Sequence, residues 1–224
     1  MSTKPSSKWV PQVIVLGAAW GLAEAALGLG IHKCASLASG SIMTGVALFF
    51  VGASWVVSGS PAGVALAVAI VSALKLFDAL LLSLPVMSGA VANPIFAFWT
   101  EGLAFLAVFA LLQGSLSAKK RGMAAGGALA ALGAVNLFPL VKFATGIPAC
   151  VVPGTTFPLS LYYAPLAVAL SALTVPLGVW AGARMARAAE LAEASGRLSP
   201  ARRFAPSAAV ALAMLLIASV HLIG

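Results

Sequence analysis

The chain has 224 residues, of which 62% are hydrophobic and only 8% charged. An ordinary soluble domain carries about a quarter charged residues, so this composition excludes a water-soluble globular protein and makes lipid the solvent. The formal net charge of +8 does not point to nucleic acid, because the basic residues lie almost entirely between hydrophobic runs, where they report topology.

Crossing a bilayer as a helix takes about 20 consecutive apolar residues. Runs of that kind occur at 9–31, 41–57, 62–84, 90–112, 123–144, 161–185 and 204–223, the second being the shortest. Their Ala/Leu/Val/Gly composition lacks the polar–apolar alternation of barrel strands, and helices satisfy their own backbone inside hydrocarbon. The expected fold is therefore an all-α integral membrane protein: a six-helix transmembrane core over 9–185, a charged linker over 186–203, and an additional helix over 204–224. The tail 1–8, MSTKPSSK, leads into a first run with no obvious cleavage site, so that run reads as a retained helix.

Orientation follows from the basic residues. With the N-terminus inside, the inner segments hold Lys4, Lys8, Lys119, Lys120, Arg121, Arg184, Arg187, Arg197, Arg202 and Arg203, and the outer loops hold Lys33 alone. That is the asymmetry of the positive-inside rule. It predicts a multi-pass membrane protein with a cytoplasmic N-terminus.

Span one carries an i+4 stripe of Trp20, Glu24, Gly28 and His32, and two small-residue rows, Gly17 with Gly21 and Ala19 with Ala23. Such rows permit close helix approach where lipid gives no hydrophobic drive for association. Span three adds Lys75 and Asp78 at i+3, span four Asn93 and Glu101, and span five Asn136 and Lys142. Residues three or four apart share a face, so four helices each offer hydrophilic side chains in their outer or middle portions. Ionisable residues inside spans are costly and usually face the bundle interior. The expected substrate site is thus Trp20, Glu24, His32, Lys75, Asp78, Asn93, Glu101, Asn136 and Lys142. A carboxyl at the depth of Glu24 or Glu101 needs either a proton or a lysine from another helix.

Structural readings stand beside that one. Lys75 and Asp78 could simply neutralise each other, and Lys142 could reach the outer interface along its aliphatic stem. The outer loops GIHKCASLASG, SLPVMSGAVANP and ATGIPACVVPGTTFPLSLYY are nearly uncharged and read as a lid. Trp20, Phe157, Tyr162 and Tyr163 are candidate aromatic walls, the two tyrosines equally candidates for the interfacial belt. Cys34 and Cys150 both fall in outer loops, where a disulfide, a soft-metal site beside His32 and two unpaired thiols all remain open. The stretch RMARAAELAEASGRLSPARR reads as a helical extension of span six followed by a turn. The nearly all-aliphatic seventh span reads as a peripheral stabilising helix. No catalytic or metal motif is recognisable by spacing, so neither an enzyme, a resident metal nor a cofactor is expected.

The runs AAWGLAEAALGLGIH in span one, KLFD in span three and NPIFAFWTEG in span four resemble the substrate-binding S components of energy-coupling factor transporters. The resemblance covers roughly residues 10–185 and leaves the seventh span as an addition. It implies a bacterial cytoplasmic (inner) membrane, a six-helix core with both core termini cytoplasmic, and an outer substrate site capped by loops one, three and five. It also implies a membrane-embedded coupling subunit and ATPase subunits as partners, met through small residues spaced like Ala19 and Ala23. The chain has no GxxxxGK[ST] phosphate loop, so in such an assembly ATP is hydrolysed by other subunits. The function expected is binding and uptake of a small solute. A self-sufficient channel, a proton-coupled carrier and a structural or assembly protein are the alternatives.

Overall fold

A computed structural model describes residues 9–28, 37–112, 120–194 and 200–223 of the chain. Among the described residues the helices are α1 (Val10–Gly28), α2 (Leu37–Ser58), α3 (Pro61–Leu81), α4 (Gly89–Leu111), α5 (Lys120–Leu137), α6 (Val141–Thr145), α7 (Leu159–Ala194) and α8 (Pro200–Ile223). Seven stretches are long and apolar enough to cross a membrane, α5 and α6 together forming one of them. The protein is an all-α, multi-pass membrane protein, six spans plus a seventh.

Local chemistry sets the boundaries. α2 and α3 are joined by only Gly59 and Ser60, with Gly59 in the left-handed region at φ 62°. The Ser58 hydroxyl staples this turn, donating to Ser54 O at 2.8 Å and accepting from Ser60 N at 3.2 Å. Pro61 then starts α3 where a missing N–H costs nothing. Span five is not continuous as expected. Pro139 has no N–H to return to the preceding turn, so α5 stops at Leu137, a 3-10 turn covers Phe138–Leu140, and α6 resumes until Gly146 caps it at φ 76°. The second span is not short either, because the small apolar run LASG extends α2 to 22 residues. α7 continues as one helix well past its apolar part, through RMARAAELAEA to Ala194.

α2 is the central element, packed against α1, α3, α4, α5 and α7. α7 lies along α2 on one side and also contacts α5; α1 and α3 lie on the other side and carry α8. The main core runs through the middle, with Trp20, Leu48, Val51, Val68, Val71 and Phe105 fully or almost fully enclosed. A second apolar cluster joins Ala18 and Ala25 of α1, Leu74 of α3, and Ala213 and Ile217 of α8. Leu173, Leu177, Leu212 and Leu215 point outward, where acyl chains surround a membrane protein.

The closest approach is between α2 and α7. A Cβ added at Gly178 would lie 2.1 Å from Phe49 O, and one at Gly182 would lie 2.5 Å from Ala53 O. Only glycine lets these two backbones touch, which makes Gly178-x-x-x-Gly182 the principal small-residue seam. On α1 the Gly17–Gly21 row faces Ile70 and Leu74 of α3 within the same chain. The other row turns away, with Ala19 exposed and Ala23 half-buried.

Successive spans reverse direction, so the bundle has two distinct ends. Arg121, Arg184 and Arg187 mark the basic end, where the α2–α3 connection is minimal. The longer connections, 82–88 and 146–158, lie at the opposite, long-loop end. The second of these is a small hairpin, bridged between Val151 and Pro158, with Val152 N donating to Phe157 O at 2.9 Å. Its start reaches α4, since Ile147 lies against Gly89.

Candidate functional site

Glu24 projects from α1 into the interior and is 5% exposed. The expected stripe on this helix is real as far as it is described: one turn earlier, the Trp20 indole N–H donates to Glu24 Oε1 at 3.3 Å. Trp20 is held by rings from two other helices, stacked on Phe50 of α2 at 6.2 Å and edge-on to Phe98 of α4 at 5.4 Å. This aromatic trio fixes the indole and hence the carboxyl that it serves.

Glu101 of α4, also 5% exposed, lies within electrostatic range of Glu24. The Thr44 hydroxyl of α2 bonds to it and also to the Tyr163 phenol of α7. One hydroxyl has one proton: Thr44 donates to the carboxyl and accepts from the phenol. Tyr163 enters the bundle because Gly40 leaves room, a Cβ there lying 2.6 Å from the ring. The Ser41 hydroxyl, donating to Tyr163 O at 3.2 Å, fixes the backbone beside it. Side chains from α1, α2, α4 and α7 therefore converge on one buried cluster.

Lys75 and Asp78 form a neighbouring node. The Lys75 ammonium donates to Asp78 Oδ2 at 2.7 Å, and the other carboxylate oxygen contacts His221 Nε2 of α8. Lys75 is also within electrostatic range of Glu24, which links the node to the cluster. The α3 pair thus neutralises itself, as one reading of the sequence has it, and it recruits the seventh span in doing so. α8 is consequently more than the peripheral aliphatic helix expected; its last turn supplies a side chain to a charged network.

The remaining expected site residues divide. Asn93 is 8% exposed on the α4 face nearer the long-loop end, and its Oδ1 has no hydrogen-bond partner among the described residues. Glu101 Oε2 likewise has none among them. Asn136 and Lys142 do not join the cluster. Asn136 is exposed and donates to Leu132 O of its own helix at 2.7 Å, and Lys142 is exposed beyond the Pro139 break. Of the aromatic candidates, Trp20 and Tyr163 point inward whereas Phe157 and Tyr162 are exposed. His32 and Cys34 lie outside the described residues. Cys150 is disulfide-bonded, and Cys34 is the chain's only other cysteine.

Three contributors were not singled out in the sequence as members of this network: Thr44, Tyr163 as a hydrogen-bonding partner, and His221. Thr44 is one hydroxyl in an otherwise apolar run, and small hydroxyls in membrane helices usually bond their own backbone. His221 stands 143 residues from Asp78, a separation that no helical periodicity reaches.

Among the described residues, no three His, Cys, Asp or Glu side chains are grouped as a metal site. Compared with family models, with curated proteins and with solved structures, the chain matches none.

Proposed function

We propose that this protein is a membrane-embedded binding and uptake component for a small polar solute, entered from the long-loop end. The observation that carries the reading is the meeting of Glu24, Thr44, Glu101 and Tyr163, from four helices, inside an otherwise apolar bundle. Burying a carboxyl whose second oxygen has no partner, as at Glu101, costs several kcal/mol in hydrocarbon, about the same order as its lost hydration. Proteins retain such groups where a ligand or ion uses them. The exposed Ala19 row and the motif resemblance support an arrangement like that of the S components of energy-coupling factor transporters. In it a coupling subunit and ATPases power release into the cytoplasm, and the N-terminus is cytoplasmic.

The test is ligand screening on the purified protein in nanodiscs, with thermal unfolding as the readout. A true solute raises the midpoint, and Glu101→Gln or Glu24→Gln weakens it by about tenfold or more, the loss of one charge-assisted hydrogen bond. A solute whose binding ignores both substitutions overturns the site. Pull-down of the tagged protein from its own membranes should bring ATPase subunits with it.

The proximity of two carboxyls also supports a second reading, a proton-coupled carrier that works alone. Uptake by proteoliposomes containing only this chain, driven by a proton gradient and lost in Glu101→Gln, would select it over the first.

A further inference from the structure

Resting on the binding function proposed above, we infer that the solute held by Glu24 and Glu101 is a small organic cation, an ammonium group on an apolar or aromatic body. Charge comes first. The described spans place three carboxyls in this region, and Asp78 has both Lys75 and His221 as direct contacts. Glu24 and Glu101 have no basic side chain in direct contact among the described residues. Buried without one, they stay protonated unless a solute brings the countercharge; a cation supplies it and an anion cannot.

The unpartnered atom points the same way. Glu101 Oε2 has no hydrogen-bond partner among the described residues, on a side chain more than nine-tenths buried; Asn93, eight residues earlier, lies about 12 Å away along α4 and is not part of the same contact. Acceptors left open in a dry site select a donor, and an ammonium N–H is the donor that also answers the charge. The surroundings suit its body: the Trp20 indole bonds to Glu24 and the Tyr163 ring is within electrostatic range of Glu101, and aromatic rings attract cations. A bare divalent metal is the poorer occupant. Calcium takes six to eight oxygen ligands and magnesium demands near-ideal octahedral geometry, and among the described residues no three acidic, His or Cys side chains are grouped.

The experiment uses the full chain in nanodiscs and three matched probe sets. One is a panel of aromatic primary and quaternary amines led by phenethylamine and benzyltrimethylammonium. The others are the uncharged alcohols and the carboxylates of the same size, led by phenethyl alcohol and phenylacetate. Members of the cationic set should raise the unfolding midpoint while their neutral and anionic counterparts do not. Glu101→Gln and Glu24→Gln should weaken that response at least tenfold, with Glu190→Gln, on the exposed basic-end extension of α7, as the unaffected control. Stabilisation by neutral or anionic probes, sensitive to Glu101→Gln, overturns the cation assignment and leaves the binding function standing. Silence across all three sets overturns the cation assignment alone; the binding function falls only if the open ligand screen also finds no solute. The wild-type comparison of charge types decides the matter even where a carboxyl variant fails to fold.

Discussion

Asp78 shows how much one carboxylate can hold together in this bundle. It accepts from Lys75 one turn away and meets His221 from the last turn of α8. Removing one partner of a buried ion pair costs more than the pair is worth, because the other partner is left uncompensated. Asp78→Asn should therefore lower unfolding stability by roughly 3 kcal/mol, leaving both Lys75 and His221 without their anion. His221→Ala removes one of the two partners of Asp78, and about 1 kcal/mol is expected. Urea or SDS unfolding in mixed micelles would rank the two, and equal effects would show that Lys75 contributes nothing. The intrahelical pair was legible from spacing alone, as was the Trp20–Glu24 stripe. The imidazole was not, because only the docking of α8 on α1 and α3 brings it there.

Among the elements, the α2–α7 crossing is the most exacting. Backbone meets backbone at Gly178 and Gly182, and the facing carbonyl oxygens cannot move aside as a flexible side chain would. Gly178→Ala is expected to cost about 1–3 kcal/mol by overpacking, measured by thermal unfolding in detergent. Gly17→Ala should be milder, since it meets side-chain atoms of Ile70. The Gly178-x-x-x-Gly182 spacing is present in the sequence beside the α1 rows, but an Ala- and Gly-rich chain offers many such spacings and periodicity does not say which one closes on a partner. The same limit explains Asn136 and Lys142. They share a helical face on paper, but Pro139 interrupts the helix between them, and both end on the outside of the bundle.

For the whole molecule, the number of spans and most of their boundaries were readable from hydropathy, because lipid imposes a length and an apolar composition on every crossing. Convergence of the carboxyls was readable only as an expectation; their partners on α2 and α7 depend on packing. Seven crossings put the two termini on opposite faces. Reporter fusions after residue 8 and after residue 224 should therefore give opposite signals, the first cytoplasmic, and a shared side would contradict the span count. The length of α7 adds a mechanical consequence. Trp180 and Arg184, stacked as a cation–π pair at 5.3 Å, suit the headgroup region as an anchor. The helix continues about 15 Å into water beyond them. In the other direction Tyr163 lies about 26 Å from that anchor along the same helix, with Pro165 and Pro176 between them. Each proline removes a backbone hydrogen bond and lets the helix bend. Force applied to the aqueous stub would thus be taken up at two bending points before it reached the phenol, and Trp180→Ala should lower thermal stability without the change at the buried carboxyls that Tyr163→Phe would bring.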